Sequence, residues 1–170
     1  NDIITPGPMD IGFISGGSGI HQLNNLNSVQ IDMMVQRLCE LDEIADIVIV
    51  DTGAGITDVV LQFVAASSEV LIVATPEPTS VTDAYALIKA LDIERVHMTD
   101  TTIRLISNRV ANVNEGKLLY TKLNTVVNRF LNIKLEYLGP VVQDNNLVKA
   151  LIQQKPLSVL YPNSPAAKNI

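Results

Sequence analysis

The chain has 170 residues, of which 47% are hydrophobic and 18% charged, with three Phe, four Tyr, no Trp and a formal net charge of −6. This length and composition predict one globular domain with an aliphatic core and exclude a disordered chain. Dispersed basic residues argue against direct nucleic-acid binding, the single Cys39 excludes an internal disulfide, and no apolar run is long enough to span a membrane.

The charge is uneven. Residues 1–83 hold one basic residue, Arg37, against twelve acidic ones (net −11), and residues 84–170 hold eleven against six (net +5). A solvated surface accounts for most of this asymmetry. With no leader-like stretch in view, the expected location is cytoplasmic. The opening NDIITPGP lacks Met and reads like mid-protein sequence, so the expectation is a piece of a longer protein.

In chain order, residues 11–15 (IGFIS) form a short apolar run closed by Gly16, Gly17, Ser18 and Gly19. Residues 22–43 recur at helical spacing, with Cys39 expected as a buried thiol. Residues 46–51 (DIVIVD) predict a strand apolar on both faces, as in a parallel sheet covered on each side. A helix follows over 57–67, led by Thr57 and Asp58. Residues 69–75 (EVLIVAT) predict a strand stopped by Pro76-Glu77-Pro78. Thr79 and Ser80 are candidate caps for a helix over 80–92. Further strands are predicted at 102–107 and 135–142, and helices at 114–132 and 144–153, with Pro156 ending the regular pattern. Strand and helix alternate, which predicts one α/β domain over 1–170: a doubly wound, mainly parallel sheet with helices on both faces.

Ligands in such sheets bind at the carboxyl ends of strands, and the chemical candidates fall there. Asp51 ends a strand and is followed by Thr52, Gly53, Ala54 and Gly55. A carboxylate there can orient water or Mg²⁺ beside a nucleotide, and glycines let backbone N–H groups approach phosphate. The competing reading is an aspartate capping the next helix. The Gly16–Gly19 run lacks the lysine a phosphate loop needs, so a flexible turn is the better reading. Asn108, with Arg109 beside it, ends another strand; its amide can donate to and accept from an adenine edge, or simply form a turn. Asp144, near Pro140, can contact a base or cap the helix at 145. His21 and His97 stand apart from other ligand-type residues, and no nucleophile–base set emerges.

DIVIVDTGAG, TPEPTSVTDAYALIKAL at 75–91, SNRV at 107–110 and YLGPVVQDNNLVKALIQQKPL at 137–157 together resemble the MinD/ParA-like ATPases. The likeness is to the flagellar-number regulator branch and covers nearly the whole chain. It implies a doubly wound fold that binds Mg-ATP and forms a nucleotide-dependent homodimer. It also implies work on flagellar number or placement with a flagellar signal-recognition-type GTPase. By the same resemblance, Asp51 positions Mg²⁺ and water, and Thr52, Gly53 and Gly55 line the phosphates. Asn108 reads adenine beside Arg109, and Pro140 and Asp144 form the other base-side wall.

The departures are as informative. The family's lysine-bearing phosphate loop and its switch aspartate precede every stretch matched here. The amphipathic helix that gives peripheral membrane contact is also absent from 158–170. The resemblance thus implies an incomplete nucleotide-hydrolase fold, inactive alone, in which the missing phosphate-loop strand leaves a seam beside 46–51. The strands are then expected to close up or to self-associate. Two alternatives are a non-catalytic interaction module of the same fold and a chromosome- or plasmid-partitioning relative.

Overall fold

The computed structural model describes residues 3–15, 28–53, 55–94 and 101–170. The chain divides into two compact units, Asn1–Ile49 and Val50–Ile170. In the first, strands β1 (Thr5–Pro6) and β2 (Gly12–Phe13) pair antiparallel around a 3-10 turn at Pro8–Asp10. Met9 and Asp10 hold the turn with φ of 59° each. The apolar run 11–15 therefore contributes two residues, Gly12 and Phe13, to a small antiparallel ribbon. Helix α1 (Ser28–Cys39) runs into a second 3-10 turn, Glu40–Glu43. The glycine run 16–19, His21, His97 and the Cys39 side chain lie outside the described residues.

Residues 46–51 correct the sequence reading. Among the described residues they pair with no strand, and Ile47 and Ile49 are 80% and 83% exposed. A segment apolar on both faces needs a neighbour on an edge and cover on each side; no described strand supplies the ladder.

The second unit begins with helix α2 (Asp58–Ala66), and Thr57 caps it by accepting the Val60 N–H at 3.4 Å. Three parallel strands follow, β3 (Glu69–Ala74), β4 (Thr102–Val110) and β5 (Leu135–Val142), in the order β3-β4-β5. The crossovers are α3 (Pro78–Glu94) and α4 (Val113–Phe130). Helix α3 starts two residues earlier than the spacing suggests, because Pro78 suits a first helical turn whose N–H groups lack partners. Ser80 accepts the Thr75 N–H at 3.0 Å, tying the strand end to the helix. Asn112 caps α4 by accepting from the Glu115 N–H at 3.0 Å, and the Glu115 carboxylate accepts the N–H of Ala111, one residue before the cap.

Val70, Ile72 and Ala74 of β3 point inward with Ile103 and Leu105 of β4 and Leu135 of β5. They meet Val60 and Val64 of α2, Ile88 and Leu91 of α3, and Leu119, Leu123 and Val127 of α4 in one aliphatic core. The register pairs Val70 with Ile103 and Ile103 with Leu135, so this is one face of the sheet. The other face carries Arg104, which bridges Glu69 and Glu136, beside exposed Leu71 and Val73. The class is thus the expected one: a parallel sheet flanked by helices.

Beyond Pro156 the chain is more regular than its sequence pattern suggests. Helices α5 (Asn145–Ile152), α6 (Leu157–Leu160) and α7 (Pro165–Asn169) pack around Ala150, Leu157 and Ala166. Among the described residues no helix is long and apolar enough to cross a membrane.

Candidate functional site

Because β3, β4 and β5 are parallel, their carboxyl ends share one rim. Ala74 pairs with Ser107, Ser107 with Pro140, and Asn108 with Val141. Between Asn108 and Val110 the ladder slips, leaving Arg109 as an extra residue. Such a bulge re-aims a side chain at a strand end. Arg109 has φ 55°, a left-handed conformation that costs a residue with a Cβ on the order of 1 kcal/mol. Its N–H donates to the Asn108 Oδ1 at 2.9 Å. The Asn108 amide N–H₂ can donate to a ligand, and Oδ1 keeps a second lone pair to accept.

Arg109 reaches across the rim to Glu77, Nη1 to Oε1 3.9 Å, with both side chains more than half exposed. The Thr75 hydroxyl holds the Glu77 carboxyl below the usual carboxylate range; the Glu77 backbone helps, and the Arg109 charge contributes less. Sequence reasoning treated Glu77 only as part of a proline-flanked strand stop. The available signal was its place between a strand's carboxyl end and a helix that opens on proline.

Asp144 resolves toward capping. Its carboxylate accepts from the Asn146 N–H at 2.8 Å and from the Ala166 N–H at 3.2 Å. The Asn146 N–H is the main reason its pKa is lowered; desolvation works against it, and the Ala166 N–H and the Ser164 hydroxyl add to the lowering. Asp144 thus joins α5 to α7 at the end of β5.

A buried layer supports this rim. Ser107, fully buried, donates to the Gly116 carbonyl at 3.0 Å. A Cβ on Gly116 would lie 2.8 Å from the Tyr137 hydroxyl and 2.9 Å from Pro140 Cβ. The missing side chain therefore lets α4 approach β4 and β5 directly beneath Pro140.

Asn108, Arg109, Pro140 and Asp144 are thus brought to one end of the sheet. Asp51, Thr52, Gly53 and Gly55 are exposed and belong to no ladder; Gly55 has φ 114°, a value suited to glycine. Among the described residues no group of three or more His, Cys, Asp or Glu is placed to hold a metal. A lone Asp51 carboxylate still fits Mg²⁺, which keeps its waters and takes one or two carboxylates with substrate phosphates. A shallow groove of about 440 Å³ beside α5, lined by Asn146, Leu160, Tyr161, Asn163 and Ser164 among others, contains none of the expected site residues.

Known proteins share both the sequence and the fold. The chain is 37% identical over 166 residues to the antiactivator FleN of Pseudomonas aeruginosa, covering 98% of this chain and 58% of that protein. It is 33% identical over 159 residues to the flagellum site-determining protein YlxH of Helicobacter pylori, covering 92% and 52%. An uncharacterised ATP-binding protein of Methanocaldococcus jannaschii is 28% identical over 169 residues, covering 99% and 59%. The chain therefore spans only between half and three fifths of these relatives. Among solved structures, the cell division ATPase MinD of Pyrococcus furiosus matches with a TM-score of 0.74 at 14% identity, over 99% of this chain and 65% of that one. A ParA family ATPase of Chlorobium tepidum matches at 0.72 and 18%, over 99% and 64%. No family model matches the chain.

Proposed function

Because the chain belongs to the MinD/ParA-like family and matches flagellar-number regulators over nearly its whole length, we propose that it is the acidic and base-side part of an Mg-ATP site. Occupancy of that site drives homodimerisation and thereby sets the number or placement of flagella, in concert with a flagellar signal-recognition-type GTPase. The observation that carries this reading is the register that sets Ser107 opposite Pro140 and Asn108 opposite Val141 on the carboxyl rim of a parallel sheet. In the working ATPase, water attacks the γ-phosphate directly, without a covalent enzyme intermediate. Catalysis rests on positioning and charge neutralisation. Asp51 orients the water, Thr52, Gly53 and Gly55 approach the phosphates, and Asn108 with Pro140 holds the base while Asp144 braces that wall. Mg²⁺, when bound, offsets phosphate charge.

No lysine occurs before Lys89, so the isolated chain is expected neither to hydrolyse ATP nor to bind it tightly. The test compares ATP turnover of the full-length protein, its Asp51→Ala and Asn108→Ala variants, and the isolated chain. Turnover only in full-length protein, abolished by Asp51→Ala and with raised KM in Asn108→Ala, supports the proposal. Turnover by the isolated chain that disappears in Asp51→Ala overturns the expected inactivity.

A second reading is a non-catalytic interaction module. It is favoured by the unladdered position of Asp51 and its glycine turn. A full-length protein that binds no nucleotide yet supports normal flagellar number would select it.

A further inference from the structure

We infer that Glu77 is a positioning residue that parks Arg109 away from the nucleotide, and that Arg109 exchanges this carboxylate for a phosphate oxygen when nucleotide binds. The inference rests on the nucleotide reading above.

The backbone provides the first argument. Arg109 occupies the left-handed region at φ 55° in a ladder slip between Asn108 and Val110. Glycine or asparagine would sit there with less strain. The bulge turns the side chain out of the ladder at the carboxyl rim, where an anionic ligand would lie. The ion pair with Glu77 does not repay that strain: the atoms are 3.9 Å apart and the side chains 62% and 52% exposed, so solvent and salt screen it.

The guanidinium is exposed and only loosely paired, 3.9 Å from the Glu77 carboxylate. Its planar fork suits two phosphate oxygens better than one distant carboxylate oxygen. Meanwhile the Arg109 N–H stays bonded to Asn108, so the backbone keeps the base-side amide aimed while the side chain changes partner.

Mg-ATP titration of the full-length protein tests this, with Glu77→Gln, Arg109→Lys and Arg109→Ala. Glu77→Gln removes the competing charge and is expected to tighten binding about two- to five-fold; Arg109→Ala is expected to weaken it about ten-fold, with Arg109→Lys between. Opposite signs for Glu77→Gln and Arg109→Ala carry the inference. A pair that is only structural would lower the melting temperature in both variants and leave affinity alone; that result overturns it, as do shifts of the same sign. Wild-type protein that binds no nucleotide overturns the nucleotide reading itself. Intact binding that ignores both residues overturns this inference alone.

Discussion

Gly116 in α4 lies so close to Tyr137 in β5 that a Cβ would stand 2.8 Å from the phenolic oxygen. Tyr137 cannot readily yield, because its ring stacks on Tyr120 with centroids 4.9 Å apart. Helix propensity favours alanine over glycine by up to about 1 kcal/mol, but crowding a filled site costs about 1–3 kcal/mol. Gly116→Ala is expected to lower stability by up to about 2 kcal/mol in urea unfolding, the difference between those terms. Gly53, with open space around its Cβ position, is expected to accept alanine within about 0.5 kcal/mol.

The Tyr137 hydroxyl is buried without a hydrogen-bond partner among the described residues. Removing a polar atom that has no partner removes a desolvation penalty. Tyr137→Phe is therefore expected to be neutral or stabilising, and to recover part of the Gly116→Ala loss in the double variant. Additive losses in that double-mutant cycle would show that the two groups do not compete for space.

Asp144 makes the C-terminal helices acid-sensitive. Hydrogen bonds, led by that from the Asn146 N–H, lower its folded pKa beneath that of the unfolded chain. Its stabilisation is thus fully present above the unfolded value of about 4 and is lost as pH falls through the folded pKa. Hydrogen exchange should show α5 and α7 opening on acidification in wild type. Asp144→Asn should open them at neutral pH and flatten the dependence.

The two faces of β3 should respond differently. Ile72 is 4% exposed in the core and Leu71 is 47% exposed. Ile72→Ala is expected to cost about 2–5 kcal/mol and Leu71→Ala under about 1 kcal/mol. Equal losses would reveal cover on the outer face.

The α4 start offers a smaller effect. Asn112 accepts from the Glu115 N–H, so Asn112→Ala is expected to cost about 1 kcal/mol and Asn112→Gly only a few tenths, read from denaturant midpoints.

Much of this fold could be read directly. The continuous apolar runs at 69–75, 102–107 and 135–142 became β3, β4 and β5, and Thr57 became the cap of α2. Asn108, Pro140 and Asp144 stood out in the sequence because they fall at or near strand ends, and the structure places them near the carboxyl ends of β4 and β5. Glu77 escaped notice because its significance depends on Arg109, thirty-two residues later. Residues 46–51 misled for a related reason: their apolar pattern reports fitness for a buried ladder, while forming one needs a partner strand.

The amino-acid order alone determined the alternation of strand and helix, the caps and which face of each element is apolar, since propensity, turn chemistry and periodicity act over a few neighbouring residues. Only the tertiary structure decided the order β3-β4-β5, the slip that exposes Arg109, its approach to Glu77 and the bracing of Asp144 against Ala166. Those features arise from packing and hydrogen bonding between segments far apart in the chain, where many pairings satisfy local preference and the shared core selects one.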